Sequence, residues 1–360
     1  MHTDSRDAAH TSGEIIFTGC SMTNSAAGAP QAGGQRRQVM VGGRRVKTID
    51  VHSHCVIPET LVMMGKRLED QRGPGLGEVG LRRIREMDEQ GIDVEAISIN
   101  PFWYKAERDL AAQLIKIQNE KFAELCALHP DRFVPMASVA LQYPDLAIQQ
   151  LEYAVKKLGM RAVAVGASVA GEAFAETQFH PFWAKCEELN TLIFIHPGTA
   201  RTPEFAKHFK GNGWLSNVIG NPLETTICLS HLIMEGTLDK FPGLKICSAH
   251  GGGYLPSDAA RLDHGCRVAP ENCNPNIKLK KRPTEYLRQL YFDSLVFTSE
   301  ALRHLAAEVG VSQIVIGTDH PIPWQSESVD HILNAPGFTD AERRAMLGEN
   351  AAKLLGIEPF

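Results

Sequence analysis

Two histidines end an apolar segment near residue 50, and their spacing is one that metal sites use. The stretch "VKTIDVHSHCV" (46–56) places His52 and His54 two positions apart. Side chains of a β-strand alternate between its faces, so both imidazoles point the same way. Two neutral imidazoles on one face of a strand end can share a metal ion. With 14 histidines in 360 residues the pair can also arise by chance, so its context decides its meaning.

Three further strand-like segments end in a residue that can bind a metal or move a proton. His196 ends "TLIFIH", His250 ends "LKICSAH" and Asp319 ends "QIVIGTD". Three histidines and one carboxylate make an N and O ligand set suited to Zn²⁺ or another divalent transition ion. The fourth histidine is then free for acid–base chemistry, because the pKa of an imidazole lies near working pH.

The order of strand-like and helix-like segments predicts how these residues are positioned. Near-continuously apolar strands alternating with helices are typical of a parallel sheet covered on both faces. Eight such units in about 310 residues fit a (β/α)₈ TIM barrel, where active residues gather at the carboxyl ends of the strands. A doubly wound sheet is less well supported, because no G-x-G-x-x-G follows the first strand. The predicted strands are 48–52, 94–100, 133–141, 161–167, 191–196, 244–250, 290–296 and 313–319, and the predicted helices include 81–91, 111–130, 144–159 and 180–190.

Composition and charge exclude several classes of protein. Hydrophobic residues make up 43% and charged residues 22% of the chain, as in ordinary globular proteins. The net charge of -5 offers no basic face for nucleic acid and no polybasic membrane patch. An apolar run of about 18 residues, which a membrane span needs, is also missing. We therefore expect neither a nucleic-acid nor a membrane partner.

Cysteine usage and local composition predict the compartment and the domain limits. The eight cysteines form no C-x-x-C and several lie in apolar segments, which indicates buried, reduced thiols in a cytoplasmic protein. Residues 1–36 are rich in small and polar residues without periodicity, so we expect a flexible N-terminal extension. Residues 37–360 are expected to form the barrel domain, entered through two short strands around the Gly-Gly turn of "RQVMVGGRRV". Cys55 is interpreted as a packing residue, and His320 is expected to point away from Asp319.

Several motifs occur in an order that resembles a known family. They are "DVHSH", "REMDEQGID", "FIHPG", "NPLETT", "HLIMEGTLDKFPGLKICSAHGGGYLP", "ARLDHG" and "IVIGTDHPIP". From about residue 48 to its end, the chain resembles the amidohydrolase superfamily. Within it, the resemblance is to the amidohydrolase-2 group of metal-dependent decarboxylases, of the aminocarboxymuconate-semialdehyde decarboxylase type.

The resemblance implies a (β/α)₈ barrel that holds one catalytic divalent metal ion, with Zn²⁺ expected first and Mn²⁺ second. The metal ligands that it implies are His52, His54, His196 and Asp319. His250 matches the general acid/base of the family, which manages the proton in decarboxylation, and Asp319 is counted with it as catalytic.

The resemblance also implies arginines that bind a substrate carboxylate. In the loop after the first strand Arg72 is the first candidate and Arg67 the second, because a guanidinium can bind a carboxylate through two hydrogen bonds. The motif "ARLDHG" supplies Arg261, which in the family reaches the site of the partner subunit, so a homodimer is expected. Trp214 matches a tryptophan near the family's pocket, with ordinary core packing as the alternative.

Two segments depart from the family pattern. The loop after the first strand is shorter than in the decarboxylase type, and "AISINPFW" after the second strand matches neither branch of the group cleanly. The His-x-His opening agrees with the zinc-dependent branch rather than with relatives that open Glu-x-His. The substrate can therefore differ from the semialdehyde.

The expected function is a metal-dependent carboxy-lyase, which decarboxylates an unsaturated or aromatic carboxylic acid of ring-cleavage catabolism. The first alternative is a metal-dependent hydrolase or hydratase acting on a related carboxylated substrate, because fold and metal site do not determine the reaction. The second is a catalytically silent, metal-stabilised scaffold. The presence of all five site residues argues against a silent scaffold.

Overall fold

A computed structural model describes residues 36–71, 75–198, 203–322, 324 and 327–358. The predicted N-terminal extension lies outside these residues except for Arg36, so its flexibility stays a prediction. Arg36 makes an ion pair with the buried carboxylate of Asp93. Arg36 therefore contacts the folded domain, and the boundary between the extension and the barrel domain stays a prediction.

The described part of the chain contains ten β-strands, and the predicted strands are all among them. Strands β1 and β2 form the short antiparallel hairpin that the Gly-Gly turn predicts. The strands are β1 (Met40–Val41), β2 (Arg44–Arg45), β3 (Ile49–His54), β4 (Val94–Ser98), β5 (Phe133–Ala137), β6 (Ala162–Gly166), β7 (Leu192–His196), β8 (Lys245–Ser248), β9 (Leu290–Asp293) and β10 (Ile314–Val315).

Strands β3 to β10 form one parallel sheet that closes on itself. Neighbours in the sheet follow chain order from β3 to β10, and every ladder between them is parallel. The first and last strands meet through single parallel bridges, where Val51 N donates to Ile316 O at 3.0 Å and His54 N donates to His320 O at 2.7 Å. The predicted (β/α)₈ barrel is thus confirmed, with all carboxyl strand ends at one mouth.

Helices cover the outside of the barrel and connect its strands. The four helices predicted from apolar periodicity correspond to α2–α5, and Gly91 and Gly159 end two of them with φ of 78° and 69°, a left-handed conformation that glycine adopts without strain. The α-helices in the described residues are α1 (Pro58–Met63), α2 (Leu81–Gln90), α3 (Arg108–Ala127), α4 (Pro144–Leu158), α5 (His180–Glu188), α6 (Pro203–Lys207), α7 (Leu215–Val218), α8 (Gly220–Met234), α9 (Thr237–Lys240), α10 (Leu255–Val268), α11 (Pro283–Tyr286), α12 (Ser299–Val309), α13 (Ser328–Asn334), α14 (Asp340–Arg344) and α15 (Asn350–Leu355).

The alternation of side chains along a strand explains why the polar residues face the barrel interior. In β7, Ile193 and Ile195 belong to the large apolar cluster that includes the helices, whereas Leu192 and Phe194 belong to a second cluster. His196 lies two residues after Phe194 and four after Leu192, so its side chain points to the same, inner face at the carboxyl end of the strand. The barrel interior is apolar toward the amino ends of the strands and polar at their carboxyl ends, which form the mouth. The strands are therefore buried, and the site at the mouth stays accessible.

The cysteine prediction is partly wrong. The five free cysteines of the described residues are buried, as expected. Cys266 in α10 and Cys273, however, form a disulfide with Cα atoms 5.7 Å apart, because the turn Pro270–Asn272 returns the chain to the helix. This distance lies within the usual range for the bond.

In the part of the chain that the structure describes, no helix is both long and apolar enough to cross a membrane.

Removal of residues 1–35 should leave metal content and melting temperature unchanged, because a segment of such composition forms no packed core. A chain that begins at Gln38 should be less stable, because it also loses the ion pairs of Arg36 with Asp93 and of Arg37 with Asp330. Thermal unfolding of the full chain and of both truncated chains measures their stabilities. We expect the free energy of unfolding to be lower by roughly 1 kcal/mol in the chain that begins at Gln38. Equal stability of the two truncated chains would contradict this role of the arginine pairs.

Candidate metal centre

The barrel mouth brings together the five polar residues that the sequence singled out. His52 and His54 lie in β3, His196 ends β7, and His250 and Asp319 follow β8 and β10. The ring centroid of His52 is 5.0–5.1 Å from those of the other three histidines. His250 and Asp319 have left-handed φ values of 57° and 60°, which non-glycine residues rarely adopt and which cluster at functional sites.

Asp319 lies among the imidazoles. Its Oδ1 is 2.9 Å from His54 Nε2 and 3.2 Å from His52 Nε2, and those two nitrogens are 3.1 Å apart. His250 is more distant, with its Nε2 3.9 Å from Asp319 Oδ2. Its side chain is 15% exposed, whereas that of His52 is fully buried. His250 thus lies on the open side of the cluster.

Hydrogen bonds determine the tautomers of the two β3 histidines. His52 Nδ1 donates to Asp293 Oδ2 at 2.6 Å, since an ionised carboxylate can only accept. His54 Nδ1 lies 2.8 Å from Ser98 Oγ, and the hydroxyl of Ser98 already donates to Ser53 O at 3.0 Å. A hydroxyl has one proton to give, so His54 Nδ1 is the donor. In their neutral, metal-binding forms both rings therefore present an Nε2 lone pair to the centre.

His196 is oriented in the same way. Its Nδ1 donates to Pro197 O at 2.8 Å, because a carbonyl can only accept. Its Nε2 is buried without a hydrogen-bond partner among the described residues. Buried polar atoms without a partner are rare and need a reason.

The donor set fits a divalent metal ion. Three Nε2 lone pairs and the Asp319 carboxylate face one another, and such groups repel unless a positive charge lies among them. Three imidazoles and one carboxylate are ligands that Zn²⁺ and related ions accept, and an imidazole ligand normally donates its other N–H to a neighbouring acceptor. The three histidines have that second hydrogen bond.

The pKa values show that, while no metal ion is bound, the compensating positive charge lies on His52, whose Nε2 must lose its proton before it can bind a metal. Burial lowers the pKa of His52, but the charge of Asp319 and the hydrogen bonds to Asp293 and Asp319 outweigh it and raise the pKa to about 10. Burial lowers the pKa of His54 to about 4, and burial with the neighbouring imidazoles lowers that of His196. Burial raises the pKa of Asp319, yet the His52 charge and the imidazole hydrogen bonds bring it well below its usual range.

The structure allows two choices of four ligands. His52, His196, His250 and Asp319 have donor atoms that all lie within 4.8 Å of one another, whereas the sequence predicted His54 in place of His250. His54 Nε2 is closer to Asp319 than His250 Nε2 is, and its lone pair is fixed by hydrogen bonding. Three members are common to both sets, and the division between His54 and His250 stays a prediction.

Asp293 is a site residue that the sequence reasoning missed. It ends β9 and is fully buried. Besides His52 Nδ1, it accepts hydrogen bonds from the backbone N–H groups of His250 and Gly251, each at 2.8 Å, and of Leu295 at 3.0 Å. The signal was present in the sequence, because "LYFD" ends an apolar strand on a carboxylate as "QIVIGTD" does.

A second buried network supports the strands on the other side of the site. Arg83 donates to Glu95 Oε2 at 2.5 Å and to His54 O at 2.8 Å. His320 lies between two carboxylates, with Nδ1 2.6 Å from Glu95 and Nε2 3.0 Å from Glu86. The predicted orientation of His320, away from the cluster, agrees with this placement. The network ties α2, β4 and the loop after β10 to the end of β3.

A cavity of about 640 Å³ opens in front of the centre, a size typical of small-molecule sites. Its residues are of three kinds, namely site residues at its floor, apolar and aromatic residues, and polar residues. They include His54, His196 and Asp319; Leu76, Phe102, Trp214 and Ile322; and Lys66, Gln71, Asn100, Tyr104, Lys105, Ser216, Asn217 and Asn221.

The predicted substrate-binding residues differ in where the structure places them. Trp214 lines the cavity and its ring stacks on that of Trp324, with the two ring centroids 5.1 Å apart. Arg67 does not line the cavity, because its guanidinium makes two hydrogen bonds to Asp70 on the surface. Arg261 is exposed on α10, also away from the cavity. Arg72 lies outside the described residues.

Asp293→Asn should weaken metal binding about 10–100-fold, because an amide can present N–H groups to His52 Nδ1 and move its proton to Nε2. Competition with a chelating dye measures the affinity, on variant protein whose circular dichroism matches the original. Asp145→Asn is the control, since Asp145 is a surface carboxylate paired with Arg108. Unchanged metal affinity in Asp293→Asn would contradict this role of the carboxylate.

The chain is similar to proteins of known activity over most of its length. The family model described as Amidohydrolase matches residues 49–357. A 2-amino-3-carboxymuconate-6-semialdehyde decarboxylase of Dictyostelium discoideum is 30% identical over 287 residues, with 77% of this chain and 76% of the relative covered. A gamma-resorcylate decarboxylase of Rhizobium radiobacter is 30% identical over 339 residues, with 86% and 98% covered.

Solved structures agree with these matches. A dihydroxybenzoic acid decarboxylase from Polaromonas sp. JS666, with bound manganese and the inhibitor 2-nitroresorcinol, superposes with a TM-score of 0.76 at 26% identity. That match covers 87% of this chain and 97% of the other. With the family model spanning nearly the whole barrel, the chain belongs to the amidohydrolase family.

Proposed function

We propose that the protein is a metal-dependent carboxy-lyase, which removes CO₂ from an unsaturated or aromatic carboxylic acid of ring-cleavage catabolism. The observation that carries the proposal is the convergence of three imidazoles and Asp319, of which His54, His196 and Asp319 line the cavity, with the partly exposed His250 beside them. The two relatives that are 30% identical carry the names of decarboxylases acting on acids of this kind.

The metal would be held by His52, His54, His196 and Asp319. When bound, a divalent ion supplies Lewis-acid chemistry, in which it polarises substrate oxygen atoms. We propose Zn²⁺ first, from the resemblance to the zinc-dependent branch, and Mn²⁺ second, since a related structure contains manganese.

His250 is proposed as the proton donor. Decarboxylation replaces a C–C bond by a C–H bond, so one proton must reach the carbon that carried the carboxylate. The other three histidines direct their Nε2 lone pairs to the centre and use their Nδ1 protons in hydrogen bonds. His250 therefore protonates the carbon, the electron pair of the breaking C–C bond returns to the conjugated system, and CO₂ leaves. Its partly exposed ring regains a proton from solvent.

Two further parts of the proposal concern the oligomeric state of the protein and its location in the cell. We propose a homodimer in which Arg261, exposed on α10, reaches the site of the partner subunit. We also propose a cytoplasmic enzyme, because the five free cysteines of the described residues are buried, although the Cys266–Cys273 disulfide is of a kind that cytoplasmic proteins seldom keep. Light scattering of the purified chain tests the dimer, and a monomer with full activity would remove the role of Arg261.

The function is tested by metal reconstitution and a CO₂-release screen. Chelator-treated protein is reloaded with Zn²⁺ or Mn²⁺ and assayed against muconate-type and hydroxybenzoate-type acids. We expect metal-dependent CO₂ release from at least one acid, with a product one carboxylate smaller. Turnover of the acids without CO₂ would favour the hydrolase or hydratase alternative and exclude the carboxy-lyase.

Replacement of His250 by Ala should retain the metal and lower turnover by about 10²–10⁴-fold, which is the usual contribution of a general acid or base. His196→Ala should instead lose metal and turnover together, because its Nε2 is a proposed ligand. Metal analysis beside the CO₂ assay separates the two outcomes. A metal-free His250→Ala protein would make His250 a ligand and overturn this division of roles.

A further inference from the structure

The Cys266–Cys273 disulfide lies at the surface and has no part in the function proposed so far. Cys266 is in the last turn of α10, and Cys273 follows the turn Pro270–Asn272. Both residues are partly exposed, and the residues between them are exposed apart from the half-buried Ala269. A thiol in solution can therefore approach this bond, whereas it could not approach one inside the barrel.

The five free cysteines of the described residues differ from this pair. All five are buried, and burial raises the pKa of each thiol. Only a thiolate exchanges with a disulfide, so these thiols are unreactive while the protein is folded. Free cysteines in this number are typical of a compartment that keeps thiols reduced, where a disulfide is usually transient and redox-sensing. The exposed disulfide is thus the part of the described chain that is suited to thiol exchange.

Residues 269–278 connect α10 to the segment before α11, and we call them the connecting loop. In the described structure the hydrogen bonds of residues 270–277 all remain within this loop. They are donated by Asn272 N to Ala269 O, by Cys273 N to Pro270 O, by Asn276 N to Asn274 Oδ1 and by Ile277 N to Asn274 O. Lys280 N then donates to Asp239 Oδ2 in α9 at 2.9 Å, which holds the chain beyond the loop. Apart from the peptide chain itself, the disulfide is therefore the bond that ties the second half of the loop to α10 in the described residues.

Loss of this bond should loosen the loop without unfolding the barrel. A disulfide stabilises a folded chain chiefly by restricting the conformations that the open chain could adopt. Exposed lysines follow directly after the disulfide, at Lys278, Lys280 and Lys281. Trypsin cleaves a folded protein only where the chain can open locally, so its rate at these lysines measures how firmly the loop is held.

We propose that Cys266 and Cys273 form a redox-responsive site, at which small cellular thiols open the disulfide and release the connecting loop from α10. The thiolate of one reductant molecule attacks one sulfur atom, the S–S bond breaks, and the other cysteine leaves as a thiolate and takes up a proton. A second reductant thiolate attacks the reductant sulfur of the mixed disulfide and releases the first cysteine, which is protonated in turn. The two reductant molecules leave as one disulfide, so two electrons and two protons pass to the protein. The site is independent of the proposed function, because it uses no residue of the barrel mouth.

The test combines a thiol buffer with alkylation and limited proteolysis. Every protein carries Cys20→Ser, because Cys20 lies outside the described residues and must not contribute a thiol. This full-length chain is equilibrated with reduced or with oxidised glutathione, accessible thiols are alkylated, and the modified cysteines are identified by mass spectrometry. Parallel samples are digested briefly with trypsin. A chain that also carries Cys266→Ser and Cys273→Ser represents the open state without the need for a reductant.

With excess reduced glutathione, we expect Cys266 and Cys273 to become alkylated while the five buried cysteines stay unmodified. Cleavage after the lysines of residues 278–281 should accelerate about tenfold, as expected for the release of a short disulfide loop. Oxidised glutathione should return both properties to their starting values. The chain without the two cysteines should be cleaved at the fast rate in either buffer. Cleavage after Lys66, an exposed lysine on another loop, is the internal control and should stay the same throughout.

Several results would overturn the inference. Failure of reduced glutathione to open the bond would make it a structural disulfide. Alkylation of the buried cysteines together with the pair, or equally faster cleavage after Lys66, would show unfolding of the barrel instead of a local change. Reduction of the pair without faster cleavage, or slow cleavage of the chain without the two cysteines, would show that the bond does not hold the loop. The proposed function is judged by metal content and CO₂ release, which are not readouts of this test.

Discussion

The buried carboxylate of Asp293 is the constraint on which the site depends. It holds the Nδ1 proton of His52, and so directs the Nε2 lone pair of that ring to the centre. The same carboxylate accepts the backbone N–H groups of His250 and Gly251, where the chain turns sharply after β8. Space around it is so limited that a Cβ at Gly317 would lie 2.6 Å from Asp293 Cβ. One side chain thus sets a ring tautomer and a loop conformation together.

Buried charge at the barrel mouth is stabilised by partners on every side. An isolated carboxylate in such a place would take up a proton, because burial favours the neutral form. Glu95 is fully buried, yet Arg83 and His320 outweigh the effect of burial and lower its pKa to about 2. The cost of burying these groups is offset only while the partners are in place. The result is a rigid frame, in which ligand atoms need little rearrangement on metal binding.

The residues at the floor of the cavity and those of its wall have different roles. The floor has imidazoles and the carboxylate of the candidate metal centre, and such a centre can serve several reactions. The wall is formed in part by the loop after β4, which Trp103 and Tyr104 hold to the loop after β5 and to the end of β6. The residues suited to the reaction are therefore separate from the loop residues suited to recognise the substrate, as is usual where the loops of a barrel vary.

The sequence by itself determined the barrel and the residues at its mouth. Apolar strands alternate with helices at regular intervals, and the period of each element assigns His196 or Asp319 to a strand end without knowledge of distant contacts. Only the tertiary structure decided which groups contact these residues. Asp293 was not singled out, Arg67 turned out to pair with Asp70, and the closeness of Lys66 to the loop after β4 depends on how two separate loops fold over the mouth. Such contacts join residues far apart in the chain or depend on loop geometry, so no local periodicity encodes them.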